Sequence, residues 1–325
     1  RLLSFFGRVL LQDSTVLKLP AVLANEFPGN TSRGEKKSQV RIQAVLNLKG
    51  FSFLHFGLSA FTKNDQSASG DILNIAREGD LVIRDLGYFS LATFEKMLER
   101  GIHFLTRLKY GVSIKSLDGN ELEIFKLLKK RKIVDKRVLV GTKGVPMRLI
   151  MIPLPAEVAD ERVRKAKCDR DKRLNHSDLY YLWMRYAVFV TDVNEQVWTS
   201  QQAENVYRVR WQIEMIFKSW KSGAGLDTIL HEKVACAQRV KTVLYLFLLF
   251  TCLITEQIIK PVMSRIRKKT NTELSLIKTI NYIMRNFIEV ISMGITKLTN
   301  NMKRHCCYDK RKDRTTMTDF ILKLA

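Results

Sequence analysis

The sequence predicts an α/β fold: a mixed sheet flanked by helices, with a mainly β insertion ahead of a helix that carries one conspicuous acid. Three observations point to it. Val40, Ile42, Ala44, Leu46 and Leu48 alternate with mostly polar partners, the period of a half-buried strand. Residues 81–108 read strand, helix, strand with short connections, the pattern of a βαβ unit with parallel strands. From Val206 to Trp220, Val206, Val209, Ile213, Ile216, Phe217 and Trp220 recur every three or four residues, as on one face of an amphipathic helix.

Taken in order, Arg8–Gln12 is a short apolar run that ends at Asp13. A loop rich in Gly, Ser, Asn and charge precedes the strand of residues 40–48; Lys49-Gly50 turns the chain, and Phe51–Gly57 is its partner strand. Gln66–Arg77 reads as helix. Leu81–Arg84 is a buried strand ending at Asp85. Ser90 can cap a helix through Arg100, Gly101 stops it, and Ile102–Leu108 is the next strand. This first part of the core spans residues 1–109. Residues 110–185 read as the insertion: a hairpin of Val138–Val140 and Arg148–Ile152 around Lys143-Gly144, with basic, helix-prone pieces at Lys129–Lys132 and Arg162–Arg173. Residues 186–230 resume the core with a strand at Ala187–Thr191 and the amphipathic helix. Residues 231–325 are helical.

The chain has 325 residues, 46% of them hydrophobic, and 55 Lys+Arg against 32 Asp+Glu, a formal charge of +23. That apolar content excludes a disordered basic tail, and a basic surface suits nucleic acid or anionic lipid. The longest charge-free apolar stretch, Thr242–Thr255, is shorter than the ~20 residues a spanning helix needs, so it reads as a buried helix and no membrane partner is expected. Five cysteines without a Cys-x-x-Cys pair suggest reduced thiols in the cytoplasm, and five scattered histidines give no zinc site. His231-Glu232 and Cys306-Cys307 read as structural.

The amphipathic helix has a second stripe: Tyr207, Arg210, Glu214, Lys218 and Lys221. A solvated ladder of charges would explain it, but one acid among several cations makes poor salt bridges, and Ser222-Gly-Ala-Gly225 ends the stripe beside a tight loop. Asp13 and Asp85, each at a strand end, are ordinarily turn or cap residues; strand carboxyl ends in α/β sheets are also where sites collect. Two aspartates and Glu214 together would be hard oxygen ligands for Mg²⁺ or Mn²⁺, suited to phosphoryl chemistry with two cations about 3.5–4 Å apart.

Tyr207-x2-Arg210-x3-Glu214-x6-Lys221, with Trp211 and Lys221–Gly225 around it, resembles the Tyr-Arg-Glu-Lys signature of the bacterial DDE transposases named for insertion sequence four. Asp13-Ser-Thr15 and Asp85-Leu-Gly-Tyr88 resemble that family's two aspartate motifs, in the right order, and the resemblance spans about Leu10 to Leu226. It implies an RNase H-like core, in which Asp13, Asp85 and Glu214 bind two metal ions. It also implies that Tyr207, Arg210, Trp211, Lys218, Lys221 and Arg107 contact double-stranded DNA, with two copies acting in the DNA complex beside the bacterial nucleoid. A flipped base in this family brings Trp183 and Trp198 into view, for which core packing is the commoner role. Family members usually carry an N-terminal end-reading domain; here the chain starts twelve residues before Asp13, so the expectation is that this domain is missing, either carried by a longer product or lost from a decayed copy. The rival expectations are a catalytically silent nucleic-acid-binding relic and an RNase H-like nuclease without strand transfer.

Overall fold

The computed structural model describes residues 2–31, 35–168, 176–230, 236–269 and 272–308. It resolves into two compact units. Among the described residues, one joins Arg8–Ala68 to residues 210–308; the other holds the N-terminal segment through Gly7 and Ser69–Val209. The first is called the strand–helix unit below, the second the sheet unit.

The strand–helix unit opens with an antiparallel meander, β1 (Val9–Leu19), β2 (Ser38–Asn47) and β3 (Ser52–Ala60), with β2 in the middle. β1 runs six residues past Asp13, which pairs with Ala44 in mid-strand rather than ending the strand as expected. The charge does not stop it because Thr15, Leu17 and Leu19 turn inward in alternation, and β-branched Thr15 and Val16 suit the pleat. β2 and β3 meet where the sequence places its turn.

The sheet unit begins with β4 (Leu81–Arg84), α1 (Leu91–Glu99) and β5 (His103–Arg107). β4 and β5 are parallel, Leu81 opposite His103, as the strand–helix–strand pattern requires. Ser90 caps α1 by accepting from Thr93 N, and Gly101 leaves it at φ 63°, a left-handed backbone that glycine adopts without strain. There follow β6 (Ile114–Lys115), α2 (Ile124–Lys129), β7 (Val134–Val140), β8 (Val145–Pro153), α3 (Ala156–Lys167), α4 (Asp178–Met184), β9 (Tyr186–Thr191) and α5 (Ser200–Tyr207). The strand order within the unit is β4-β5-β9-β8-β7-β6, mixed because every pair after β4–β5 is antiparallel. The β7–β8 hairpin is longer than predicted and lies in the same sheet as β5 through β9. Arg148 on β8 is 1% exposed; its Nε and Nη2 donate to Asp135 Oδ1 and Oδ2 at 2.8 and 2.6 Å, and its Nη1 to the carbonyls of Val193 and Trp198. This fork ties the hairpin to the loop that leads into α5.

One helix expectation fails and another is met as far as the described residues reach. Gln66–Arg77 forms only a 3₁₀ segment, Ser69–Asn74, in which Ser69 Oγ donates to the Tyr88 carbonyl and the Ser69 carbonyl accepts from the Arg84 guanidinium. The basic piece at 162–173 is helical through Lys167, and residues 169–175 lie outside the described residues, as do His231 and Glu232.

The strand–helix unit resumes with α6 (Trp211–Lys218), a π-helical turn at Ser219–Gly223, and α7 (Leu226–Ile229). Next come α8 (Ala237–Ile254), a second π turn at Thr255–Ile259, α9 (Lys260–Lys269), α10 (Leu276–Arg285), α11 (Phe287–Ser292) and α12 (Ile295–His305). The helix expected over residues 206–221 is thus three pieces, α5, a 3₁₀ turn at Arg208–Arg210, and α6 with its π turn. The buried Trp220 sets the last piece: its ring meets Phe53, Phe56, Phe217 and Phe247 at 5.2–6.0 Å between centroids, fastening the turn to β3 and α8. α9, α10, α11 and α12 close their own core around Val262, Ile266, Ile283, Val290, Leu298 and Met302. Cys306 belongs to that core, and burial lifts its thiol pKa to about 11, in keeping with an inert role. Thr242–Thr255 lies in a helix, but only one side of it is buried: Tyr245, Leu246, Leu249 and Leu253 face solvent. The helical run Ala237–Lys268 is long and apolar enough by length and composition to cross a membrane, so length does not separate the two readings. One third of its apolar window is buried, and Leu244, Phe247, Leu248 and Thr251 are among the buried side chains of α8.

At the start of β5, His103 Nδ1 meets Asp192 Oδ2 at 2.6 Å, and this hydrogen bond raises the imidazole pKa above its usual value against the opposing effect of burial. A raised folded-state pKa stabilises fully below the unfolded value near 6.5, and the contribution fades as pH climbs through the folded value. Denaturant unfolding at about pH 6 and about pH 9 is therefore expected to show the wild type losing its advantage over His103→Asn as pH rises. A pH-independent gap between the two proteins would overturn this.

Candidate active site

In the strand–helix unit the site is built on β1 and α6. Asp13 is held by its own backbone neighbour, Ser14 N donating to Asp13 Oδ1 at 2.8 Å. Glu214 lies in the first turn of α6, where the helix dipole favours an acid. Arg210, one turn ahead, reaches both: its Nη1 stands 2.5 Å from Glu214 Oε1 and 3.5 Å from Asp13 Oδ2. The guanidinium side chain is 12% exposed and the carboxylates 14% and 36%, so the three charges meet in a half-dry pocket where Coulomb attraction is stronger than in water. Lys221, in the π turn, donates to the Val16 carbonyl at 2.8 Å and fixes that turn to β1. Trp211 and Lys218, a helical heptad apart, are exposed on the flank of α6 that carries Glu214.

Behind Asp13 lies a network that the sequence did not flag. Asp65 Oδ1 accepts from Ser14 Oγ at 2.7 Å, Arg41 Nη1 at 3.0 Å and Gln43 Nε2 at 3.1 Å. Arg41 and Gln43 occupy the positions of β2 that a period-2 reading assigns to solvent, yet both are buried. The only sequence signal is that two long polar residues sit on the face shared with Ser14, and it is a weak one.

In the sheet unit, Asp85 follows β4 directly and opens a 3₁₀ turn, Leu86–Tyr88. Its Oδ1 accepts from the Tyr207 hydroxyl at 3.4 Å. The Tyr207 ring is buried against Phe189, with the Arg107 guanidinium carbon 5.7 Å from its centroid. Arg84, the residue before Asp85, is fully buried; it donates to the Ser69 carbonyl at 2.9 Å and lies over Phe94, and burial lowers its pKa to about 9. Nearby a cavity of about 440 Å³ is lined by Arg107, Arg162, Lys165, Tyr180, Trp183 and Tyr186 among others. Burial depresses the Arg162 pKa and the charge of Arg107 adds to the effect, so the cavity wall is cationic as well as aromatic. Trp183 lines this cavity, whereas Trp198 is core: it is fully buried and donates from Nε1 to the Leu2 carbonyl. Arg162, Lys165 and Tyr180 were not singled out in the sequence because they sit within stretches that read as basic or aromatic helix. Among the described residues, no group of three or more His, Cys, Asp or Glu side chains is close enough to hold a metal ion.

Residues 4–253 match the family described as the transposase DDE domain. The chain therefore belongs to the transposase DDE domain family. It is a DNA transposase of the insertion-sequence kind, an enzyme of the metal-dependent class. Among its relatives are the transposases for insertion sequence elements IS231F and IS231C of Bacillus thuringiensis, each 26% identical over 98–99% of this chain and 72–73% of theirs. The transposase for IS1151 of Clostridium perfringens is 24% identical over 99% of the chain and 73% of its own length. A solved piggyBac transposase synaptic complex with hairpin DNA is a loose likeness, with a TM-score of 0.46 at 9% identity, covering 96% of this chain and 60% of that one.

Because Lys221 holds a backbone carbonyl of β1, Lys221→Met is expected to cost about 1.5–3 kcal/mol of stability without any DNA present, the range for a charge-assisted hydrogen bond. Urea unfolding of the two proteins measures it; identical midpoints would show that the link to Val16 contributes nothing.

Proposed function

We propose that this chain cuts the DNA strands at the ends of an insertion sequence and joins them to a target, with Asp13, Asp85 and Glu214 as its metal-binding carboxylates. The supporting observation is that Asp13 and Glu214, from a strand and a helix far apart in sequence, converge on a single cation, the Arg210 guanidinium. Carboxylate oxygens are the donors that Mg²⁺ and Mn²⁺ prefer, so the donor chemistry of these three side chains fits such ions. Bound there, the ions would polarise the scissile phosphate and lower the pKa of the attacking hydroxyl. Arg210 neutralises Asp13 and Glu214, and the Tyr207 hydroxyl orients Asp85. In this reading the chain has an RNase H-like core at 1–109 and 186–230, a mainly β insertion at 110–185 and a helical region at 231–325. It carries the Tyr-Arg-Glu-Lys signature of the insertion-sequence-four family and works as two copies on double-stranded DNA in the bacterial cytoplasm, without a membrane partner. Tyr207, Arg210, Trp211, Lys218, Lys221 and Arg107 contact the DNA.

Asp13→Asn, Asp85→Asn and Glu214→Gln are each expected to abolish strand cleavage while leaving DNA affinity within about threefold, as a gel assay on a supercoiled donor plasmid and a parallel binding titration would read. Cleavage at the wild-type rate by one of these variants removes that residue from the triad; a wild type that binds but never cuts supports a silent relic instead, and nicking without joined products supports a nuclease. Trp211→Ala is expected to weaken DNA binding without changing its salt dependence, whereas Lys218→Ala should lower the slope of log K against log salt by about 0.9. An unchanged slope for Lys218→Ala would place that side chain off the DNA.

A further inference from the structure

We propose that the exposed face of α8 is a self-association surface through which two copies of this chain pair antiparallel. Tyr245, Leu246, Leu249 and Leu253 on this helix are each 53–60% exposed. They fall on one stripe of α8, at i, i+1, i+4 and i+8. Four large apolar side chains side by side in water mark an interaction surface rather than scattered exposure.

The stripe ends in opposite charges. Lys241 lies eight residues before Leu249 and Glu256 seven residues after it, both exposed. At about 1.5 Å per residue, each charge stands roughly 10–12 Å from Leu249 along the helix. A second copy laid antiparallel about Leu249 therefore sets Lys241 beside the partner's Glu256, and Glu256 beside the partner's Lys241. Tyr245 meets the partner's Leu253 between them. The surface is self-complementary, as a two-fold interface must be. A parallel copy would instead oppose lysine to lysine and glutamate to glutamate. Glu256 also holds Lys260 on its own helix at 2.6 Å, which aligns the carboxylate at the end of the stripe. The inference deepens the reading in which two copies act together, and rests on it for the role of the pairing.

Sedimentation of the full chain without DNA, over a wide concentration range, should show a species of twice 37.6 kDa. Lys241→Glu alone or Glu256→Lys alone should weaken pairing at least about tenfold, and the two together in one chain should restore it. Circular dichroism of each variant checks that the helix persists. In a Cys252→Ser background, oxidising a mixture of Tyr245→Cys and Leu253→Cys proteins should give a 245–253 cross-link found by mass spectrometry, with no 245–245 product. A dimer indifferent to the charge reversals and lacking that cross-link overturns this inference and leaves the two-copy reading standing. A chain that stays monomeric at every concentration overturns it as well, and one that stays monomeric but binds phosphatidylcholine vesicles assigns the face to lipid.

Discussion

Two carboxylates facing one half-buried cation are held by it against their mutual repulsion, and Arg210 is that cation. Its guanidinium spans Asp13 and Glu214, and much of the strand–helix unit serves that placement. Asp13 has to sit in mid-strand, where the hydrogen-bonded pairing with Ala44 fixes its backbone. Glu214 has to sit one turn after Arg210, which the 3₁₀ segment at Arg208–Arg210 delivers as it leads into α6. The far end of the helix is anchored twice, by Trp220 against four phenylalanines and by Lys221 on the Val16 carbonyl. The π turn at Ser219–Gly223 makes both anchors possible: one extra residue per turn rotates Trp220 into the core while Lys221 swings to the strand.

The sheet unit uses buried cations differently. Arg84 and Arg148 are almost wholly out of water, a costly position unless every donor finds an acceptor. Arg148 is matched by a bidentate carboxylate and two carbonyls, so it welds a hairpin to a loop. Arg84 is stabilised by a carbonyl and an aromatic face, and it locks the strand that presents Asp85. Arg107, Arg162 and Lys165 line the wall of the nearby cavity. The same residue type thus holds the scaffold when it is enclosed by acceptors and presents charge when it borders an open space.

Much of this was readable before any coordinates. The alternation in β2, the strand–helix–strand run from Leu81 to Arg107, the Ser90 cap and the Gly101 stop are local patterns, and local patterns survive folding. The misreadings share one cause, a local signal overruled by distant partners. Asp13 reads as a strand end, but β2 pairs beyond it; Gln66–Arg77 reads as helix, but Ser69 is bonded to Tyr88 and Arg84; Thr242–Thr255 reads as a buried helix, but one side of α8 is bare.

The amino-acid sequence by itself determined the chemical cast: which acids, which cations, the spacing Tyr207, Arg210, Glu214, Lys221, and the class of enzyme those residues describe. That information is carried by residue type and helical period, both properties of a short segment. Tertiary structure alone decided that Lys221 spends one donor on a strand carbonyl, that Arg210 sits between Asp13 and Glu214, and that Asp65 accepts from Ser14, Arg41 and Gln43. Apart from Arg210 and Glu214, four positions apart, these contacts join residues from about 20 to about 200 positions apart, and no pattern within a segment encodes which distant acceptor a donor will meet once the chain has closed around it.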